Sequence, residues 1–339
     1  MSKILTIRFS AIGDVAMTIP IIYSVAKAYP EDLFTVLTQT FLTPVFMNRP
    51  SNVNITGADI ANAEKSFWGI LRCAFMLRKE GFDTVLDLHG VFRSRIIDAI
   101  FFLSGKKIFK IDKGRKQRRQ IISRPPKEIH PLRTAIMRYA DVFRKAGYDF
   151  DETFVSLFEN NPVTESFPEE KKGNWIGIAP FAKHKGKIYP LKKMEIVIKQ
   201  LSEKKDTAVF LFGGQGREAD MLKEWSEKYP NVRNAAGCYS IDQELVLISK
   251  LDLLVSMDSA NMHLASLVET DVVSIWGATH PYAGFYGYRQ DPDNAVQAVL
   301  PCRPCSIFGN KPCYREDYAC MNEIVPEQIV HKVKDFLYK

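Results

Sequence analysis

The stretch 7-IRFSAIGDVAMTIP-20 decides the fold. An apolar run, Ile4 to Ile7, ends at Arg8; a turn of small residues follows, and apolar residues then return at helical spacing. Strand, tight loop and helix N-terminus in that order open a βαβ unit, the place where α/β proteins hold phosphates. Yet the loop has one glycine, Gly13, followed by a carboxylate, Asp14. Two readings of Asp14 stand. A carboxylate in the first helical turn is favoured by the helix dipole and caps free N–H groups. One that faces a cleft can also act as general base toward a substrate proton, with Ser10 and Gly13 leaving room for a sugar or phosphate.

The alternation continues in both directions along the chain. ILTIR (4–8), LFTVLT (33–38), TVLDL (84–88) and KIFKI (107–111) have strand character, and 15–29, 68–80 and 93–103 are amphipathic at helical spacing. The stretch 150–172, with ENNPVTESFPEEKKGN, is polar and aperiodic and reads as a linker. Beyond it WIGIAP (175–180), AVFLFG (208–213), LDLLVSMD (251–258) and DVVSIWG (271–277) are strand-like, and 194–204, 218–229 and 242–250 helix-like. A last amphipathic helix is expected in PEQIVHKVKDFLYK. Strands alternating with helices imply parallel sheets. The 339 residues suffice for two such α/β domains of similar size with a cleft between them.

Composition excludes several classes. The chain is 46% hydrophobic and 25% charged, ordinary for a soluble globular protein, and no apolar run approaches the roughly 20 residues of a membrane span. MSKILTIRFS enters a strand directly and carries no signal-peptide pattern, so a cytoplasmic location is expected. The net charge of +7 is concentrated in residues 105–119, GKKIFKIDKGRKQRR, with eight Lys/Arg against one Asp; the remainder is neutral. Such a run is either a solvated loop or a device for a polyanionic partner: phosphates, an acidic glycan, an anionic membrane or nucleic acid. Cys73 and Cys238 are isolated and expected to be buried, whereas Cys302, Cys305, Cys313 and Cys320 crowd into C-x2-C-x7-C-x6-C. One CxxC is metal-like but the second pair lacks it, so structural zinc and reduced thiols both stand.

Three further stretches have chemistry in them. In 251-LDLLVSMDSANMHLAS-266 small residues at a strand-to-helix turn allow backbone N–H groups to approach a diphosphate. There Asp258 either caps the helix or bonds a hydroxyl and orients the loop, and His263 either meets a phosphate or is a core residue. In 178-IAPFAKHKGKIYPLKKME-195 a loop with Lys183, His184, Lys185 and Lys187 follows a strand. It is an exposed basic loop or the cation that neutralises a departing diphosphate. The turn 212-FGGQGRE-218 permits close backbone approach but is a weak signal, and neither GxGxxG nor GxxxxGK[ST] occurs.

Taken together and in this order, the motifs resemble the ADP-heptose:lipopolysaccharide heptosyltransferases of glycosyltransferase family 9. The carriers are IRFSAIGDVAMTIP, DLHGVFRS (87–94), KIYP (187–190), DSANMHLA (258–265), WGATHP (276–281) and the Cys-rich segment before VPEQ. Tyr189 stands where the family usually has Trp, and Ala260 where Gly is common. The resemblance implies an α/β GT-B architecture, two Rossmann-like domains with the last helix crossing back to the first. The expected bounds are 1–160 for an acceptor domain, 161–322 for a nucleotide-sugar domain, and 323–339 for that helix.

The implied activity is inverting heptosyl transfer from ADP-heptose to the inner core of lipopolysaccharide, with no obligatory cofactor and no metal ligand. Asp14 would be the base and Lys187 the cation on the leaving diphosphate. Lys183, Glu218, Asp258, Ser259, Ala260 and His263 would hold the nucleotide sugar. Ser10, Gly13, His89, Arg93, Arg95, Lys116, Arg118 and Arg119 would contact a lipid-linked acidic acceptor. The basic run then suits an anionic inner-membrane surface, with the protein peripheral on its cytoplasmic face. Another nucleotide sugar or a non-lipopolysaccharide acceptor is the alternative within the fold. A Rossmann-type nucleotide-binding enzyme of another kind lacks its glycine fingerprint here, and no nucleic acid is expected, since helix-turn-helix, zinc-finger and RNP signatures are missing.

Overall fold

The computed structural model describes all residues except 60, 61, 63–65, 126, 127, 161–169, 338 and 339. Most of the polar stretch read as a linker, 161–169, lies outside the described residues. The chain divides into two compact units, Met1–Lys113 with Ala135–Asn161, and Gly114–Thr134 with Pro162–Lys339.

The first unit contains β1 (Lys3–Ile7), α1 (Ile12–Ala16), α2 (Ile19–Ala28), β2 (Leu33–Gln39), β3 (Val53–Ala58), α3 (Phe67–Arg78), β4 (Thr84–Asp87), α4 (Phe92–Leu103) and β5 (Lys107–Lys110). Next comes α5 (Arg115–Ile121), which belongs to the second unit, and then α6 (Ala135–Lys145), which returns to the first. The sheet is wholly parallel in the order β3-β2-β1-β4-β5. Leu5, Ile7, Leu37 and Val85 from the strands pack with Ile70, Ala74 and Leu77 of α3 and Ile97 and Phe101 of α4. The single helix expected over 15–29 is interrupted: α1 ends at Ala16, and α2 starts at Ile19 with Pro20 in its first turn, where the missing N–H costs nothing.

The second unit holds β6 (Asn174–Ala179), α7 (Leu191–Ser202), β7 (Thr207–Leu211), α8 (Arg217–Lys228), β8 (Val232–Asn234), α9 (Ile241–Ser249), β9 (Leu253–Met257), α10 (Ala260–Leu267), β10 (Val272–Trp276), β11 (Ala295–Gln297), α11 (Ala319–Asn322) and α12 (Pro326–Leu337). Its parallel sheet runs β11-β10-β9-β6-β7-β8. Strands buried on both faces, such as LLVSM of β9 and VVSIW of β10, read as continuous apolar runs for that reason.

Two boundaries differ from expectation. Residues 114–134 leave the acceptor domain 1–160 to which the sequence assigned them, because Ile121 of α5 is buried with Ala283 and Ile307. The last helix was expected to pack on the N-terminal domain; its apolar stripe, Ile329, Val330 and Val333, is instead buried in the second unit's core, against Val197 and Ile198 of α7.

Candidate functional site

In an open parallel sheet, ligands bind beyond the carboxyl ends of strands where the strand order reverses. In the first unit that point lies between β1 and β4, in the second between β6 and β9. Most of the residues singled out by sequence follow these strand ends; Glu218 instead follows β7, and Lys116, Arg118 and Arg119 lie on α5.

At the first, β1 continues into Phe9 and the loop to α1. Asp14, in the first turn of α1, is 27% exposed, and both its oxygens are engaged. Oδ1 pairs with Arg8 Nη2 at 2.9 Å, and Oδ2 accepts the Ala11 amide at 3.2 Å. Arg8 itself is buried, donates to the Leu88 carbonyl at 2.9 Å and lies 5.7 Å from the Tyr139 ring. Burial opposes its charge, but Tyr139, Asp14 and Asp87 outweigh that and leave its pKa above the ordinary value. Ser10 is half-buried and Gly13 buried. From the other side of the strand reversal, Asp87 accepts the His89 and Gly90 amides and the Ser94 hydroxyl, each at 2.8 Å. His89, expected as an acceptor contact, is buried and its Nδ1 accepts the Phe9 amide at 3.3 Å. Burial, then Arg8 and Lys113, push its pKa down to about 3, so it is a neutral imidazole that ties the β4 turn to the end of β1. Arg93 and Arg95 follow on the first turn of α4, Arg95 exposed.

At the second reversal, Asp258 ends β9 with its side chain 5% exposed. Its Oδ2 receives Lys187 Nζ at 2.9 Å and the Thr279 hydroxyl at 2.7 Å. The helix-cap reading of Asp258 therefore gives way to the orienting one: Ser259 occupies the N-cap position of α10, and the carboxylate holds the lysine loop. Ser259 Oγ lies 3.3 Å from Ser256 Oγ, Ala260 opens α10, and His263 is buried one turn on. Lys183 is exposed, and the His184 pKa is lowered by burial and by Lys183 and Lys187, which reports a positive local field. Tyr189, in place of the family's Trp, is buried with its hydroxyl on the Ile324 carbonyl at 2.9 Å. Glu218 Oε2 accepts the Gly214 amide at 2.7 Å and fixes the glycine turn before α8.

Two glycines let the lysine loop sit where it does. A Cβ on Gly277 would lie 2.6 Å from the Gly186 carbonyl; one on Gly309, whose φ is +74°, would lie 2.5 Å from Lys187 Cγ. Sequence reading missed three supporting residues: Arg8, Thr279 and Arg303. Arg303 is 3% exposed and donates to the carbonyls of Trp276, Gly277, Thr279 and Ala298 and to Gln297 Oε1. It thereby pins the turn that presents Thr279 to Asp258. Burial lowers its pKa to about 10.

The basic cluster is divided by the fold. Residues up to Lys113 stay in the first unit, whereas Lys116, Arg118 and Arg119 ride on α5 in the second. Arg118 lies there 4.8 Å from the Phe285 ring and 5.8 Å from Phe308; Lys116 and Arg119 are exposed. Cys302, Cys305, Cys313 and Cys320 line one small cavity beside Arg303, and burial raises the Cys320 thiol to about 11. Among the described residues no three His, Cys, Asp or Glu side chains are grouped to hold a metal ion. Cys238, expected inside, is exposed.

The family model described as glycosyltransferase family 9 (heptosyltransferase) matches residues 70–309. The chain belongs to this family. It is 22% identical over 335 residues to lipooligosaccharide heptosyltransferase 2 of Campylobacter jejuni, covering 96% of this chain and 95% of that one. It is 24% identical to lipopolysaccharide heptosyltransferase 1 of Campylobacter coli, covering 98% of each. Its fold is like that of a family 9 glycosyltransferase from Veillonella parvula, with a TM-score of 0.73 at 16% identity over 99% of this chain and 97% of that one. E. coli heptosyltransferase WaaC, solved with ADP, gives 0.68 at 16% identity over 98% and 99%. Membership makes this chain a glycosyltransferase, of α/β class and of the GT-B fold to which these neighbours belong.

Proposed function

We propose that this family 9 enzyme transfers a heptose from ADP-heptose to the inner core of lipopolysaccharide, with inversion at the anomeric carbon. Asp14 takes the proton of an acceptor hydroxyl; that oxygen forms the new bond to the anomeric carbon on the face opposite the diphosphate; the bond to the diphosphate breaks, and ADP leaves with the electron pair. Lys187, released from or shared with Asp258, meets the negative charge that develops on the diphosphate, together with His263 and the amides of residues 258–260. Electrostatic preorganisation of this kind is commonly the largest share of catalysis. Lys183 and Glu218 border the nucleotide, and Ser10, Gly13, Arg93 and Arg95 the acceptor. No metal is assigned to the reaction.

The observation that supports this reading most is the Lys187–Asp258–Thr279 cluster at a strand reversal, a cation held ready beside a helix N-terminus where a diphosphate binds. The relatives named as lipopolysaccharide and lipooligosaccharide heptosyltransferases supply the sugar and the acceptor. Such an acceptor is lipid-linked and acidic, which puts the enzyme at an anionic membrane surface; no helix among the described residues is long and apolar enough to cross a membrane. A thermal-shift panel of ADP, UDP and GDP tests the nucleotide. ADP at 100 times its Kd adds about 2.7 kcal/mol, and a larger response to UDP or GDP would sink the heptose assignment.

A further inference from the structure

A surface helix ordinarily turns its polar face to water. On α3 and α4 the outward faces are apolar and basic instead. On α3 the core side is Ile70, Ala74 and Leu77, and the opposite side carries Trp68, Phe75 and Met76, exposed to 76%, 48% and 58%. On α4 the core side is Ile97 and Phe101, and the opposite side carries Phe92, Phe102 and Leu103, exposed to 73%, 70% and 83%. The two helices are neighbours packed through one core cluster, so both outward faces lie on one side of the first unit's sheet. Single exposed apolar residues are unremarkable, but six large ones on two adjacent helices form a patch that marks a binding surface.

The charges on this surface are of one sign. Arg72 and Lys79 fall on the same stripe as Trp68 and Phe75, at spacings of three and four residues, and Arg95 takes that place on α4. Arg78 lies 5.7 Å from the Phe75 ring. Over residues 66–107 the exposed acids are Glu80 and Asp83, and Lys106 faces Asp83 at 3.8 Å. Trp, Phe and Leu interleaved with Lys and Arg are what an interfacial helix presents to lipid: rings at headgroup depth, cations at the anionic headgroups. A protein partner of ordinary composition would need no such bias toward one charge.

We propose that the outward face of α3 and α4 docks on an anionic lipid bilayer and seats its aromatic side chains in the headgroup layer. This rests on the reading that the acceptor is lipid-linked, and it moves the membrane contact from the 105–119 run to this face.

Trp68 supplies a built-in probe, because the other tryptophans, Trp175, Trp225 and Trp276, are buried. Vesicles of phosphatidylcholine with phosphatidylglycerol should capture the full chain and shift its emission to the blue; vesicles of phosphatidylcholine alone should do neither. Trp68→Phe should abolish the shift and keep the capture. The triple variant Trp68→Ser/Phe75→Ser/Phe102→Ser should lower vesicle partitioning by about a hundredfold or more, with its response to ADP unchanged. Capture that the triple variant retains, capture without a change in Trp68 emission, or no capture of the wild type overturns the proposal. So does a wild-type dimer in light scattering that the triple variant converts to monomer, since a second copy would then cover the face. Loss of the ADP response with capture intact would strike the nucleotide reading and leave this one standing.

Discussion

Asp14 is engaged on both oxygens by Arg8 and the Ala11 amide, yet each carboxylate oxygen retains a lone pair able to receive a proton. The cap seen here and the proposed base role are therefore compatible in one side chain, and a variant can separate them. Asp14→Asn keeps the shape but loses the proton acceptor. Turnover should fall about 10²- to 10⁴-fold while the thermal response to ADP persists; near wild-type turnover would leave Asp14 a structural residue only. Lys187 permits a second test. Lys187→Met removes a charge-assisted contact worth about 1.5–3 kcal/mol and should weaken ADP by roughly 10- to 100-fold in calorimetry. It also strands the Asp258 carboxylate in a buried site, so stability falls too. Adding Asp258→Asn should recover the stability and not the affinity, whereas recovery of both would make the pair purely structural. Asp14, Lys187 and Asp258 were legible because they lie in motifs whose order is informative. Arg8, Thr279 and Arg303 were not, because each also needs a partner tens of residues away, Leu88 for Arg8, Asp258 for Thr279 and the 276–279 turn for Arg303, that only tertiary structure brings into reach.

The turn from β4 into α4 concentrates buried ionisable groups, and their pH slopes oppose. His89 has its pKa pushed from 6.5 to about 3 by burial, Arg8 and Lys113, so the folded state binds fewer protons than the unfolded one below pH 6.5. Its neutral form costs nothing at pH 7, and stability is lost progressively as pH falls from 6.5 toward 3. Asp98, buried near Asp87 and 3.1 Å from Lys110, is pushed up to about 7, so its penalty grows between about pH 4 and 7. This cancellation should flatten the wild-type profile, and the single variants should uncover it. His89→Gln should gain on the wild type as pH drops from 6.5 toward 4, read as the difference in urea midpoints. Asp98→Asn should gain in the other direction, from pH 4 to 7. Parallel profiles for wild type and His89→Gln would show that the imidazole is solvated. None of this was readable in DLHG beyond its place after a strand. Long periodic segments such as 93–103 and 218–229 were legible as helices. The short strands β3, β8 and β11 were not, because a few residues at a sheet edge leave little periodicity to read.

The chain crosses between its units at 113/114, 134/135 and 161/162, and the last two have the polar, proline-bearing composition that marks a boundary, SRPPKEIHPLRT before 134/135 and NNPVTESFPEE at 161/162. Segment 114–134 is basic and reads as a solvated loop until its few apolar residues find Ala283 and Ile307. Each unit has its own buried cluster, and the tryptophans are unequally shared between them. Trp175, Trp225 and Trp276 are buried in the second unit, while Trp68 in the first is already exposed in the native state. Emission change on heating therefore follows the second unit, whereas far-UV ellipticity follows both. ADP bound at the Lys187–Asp258 site should raise the emission midpoint by about 5–10 °C, from about 2.7 kcal/mol at 100 times Kd in a unit of this size. The ellipticity trace should then split, with the first unit's share unmoved. Acidification toward pH 4 in the His89→Gln background should move that share and not the emission midpoint. If emission and ellipticity stay coincident under both perturbations, the chain unfolds as one cooperative body, and the ligand's stabilisation is spread over all 339 residues.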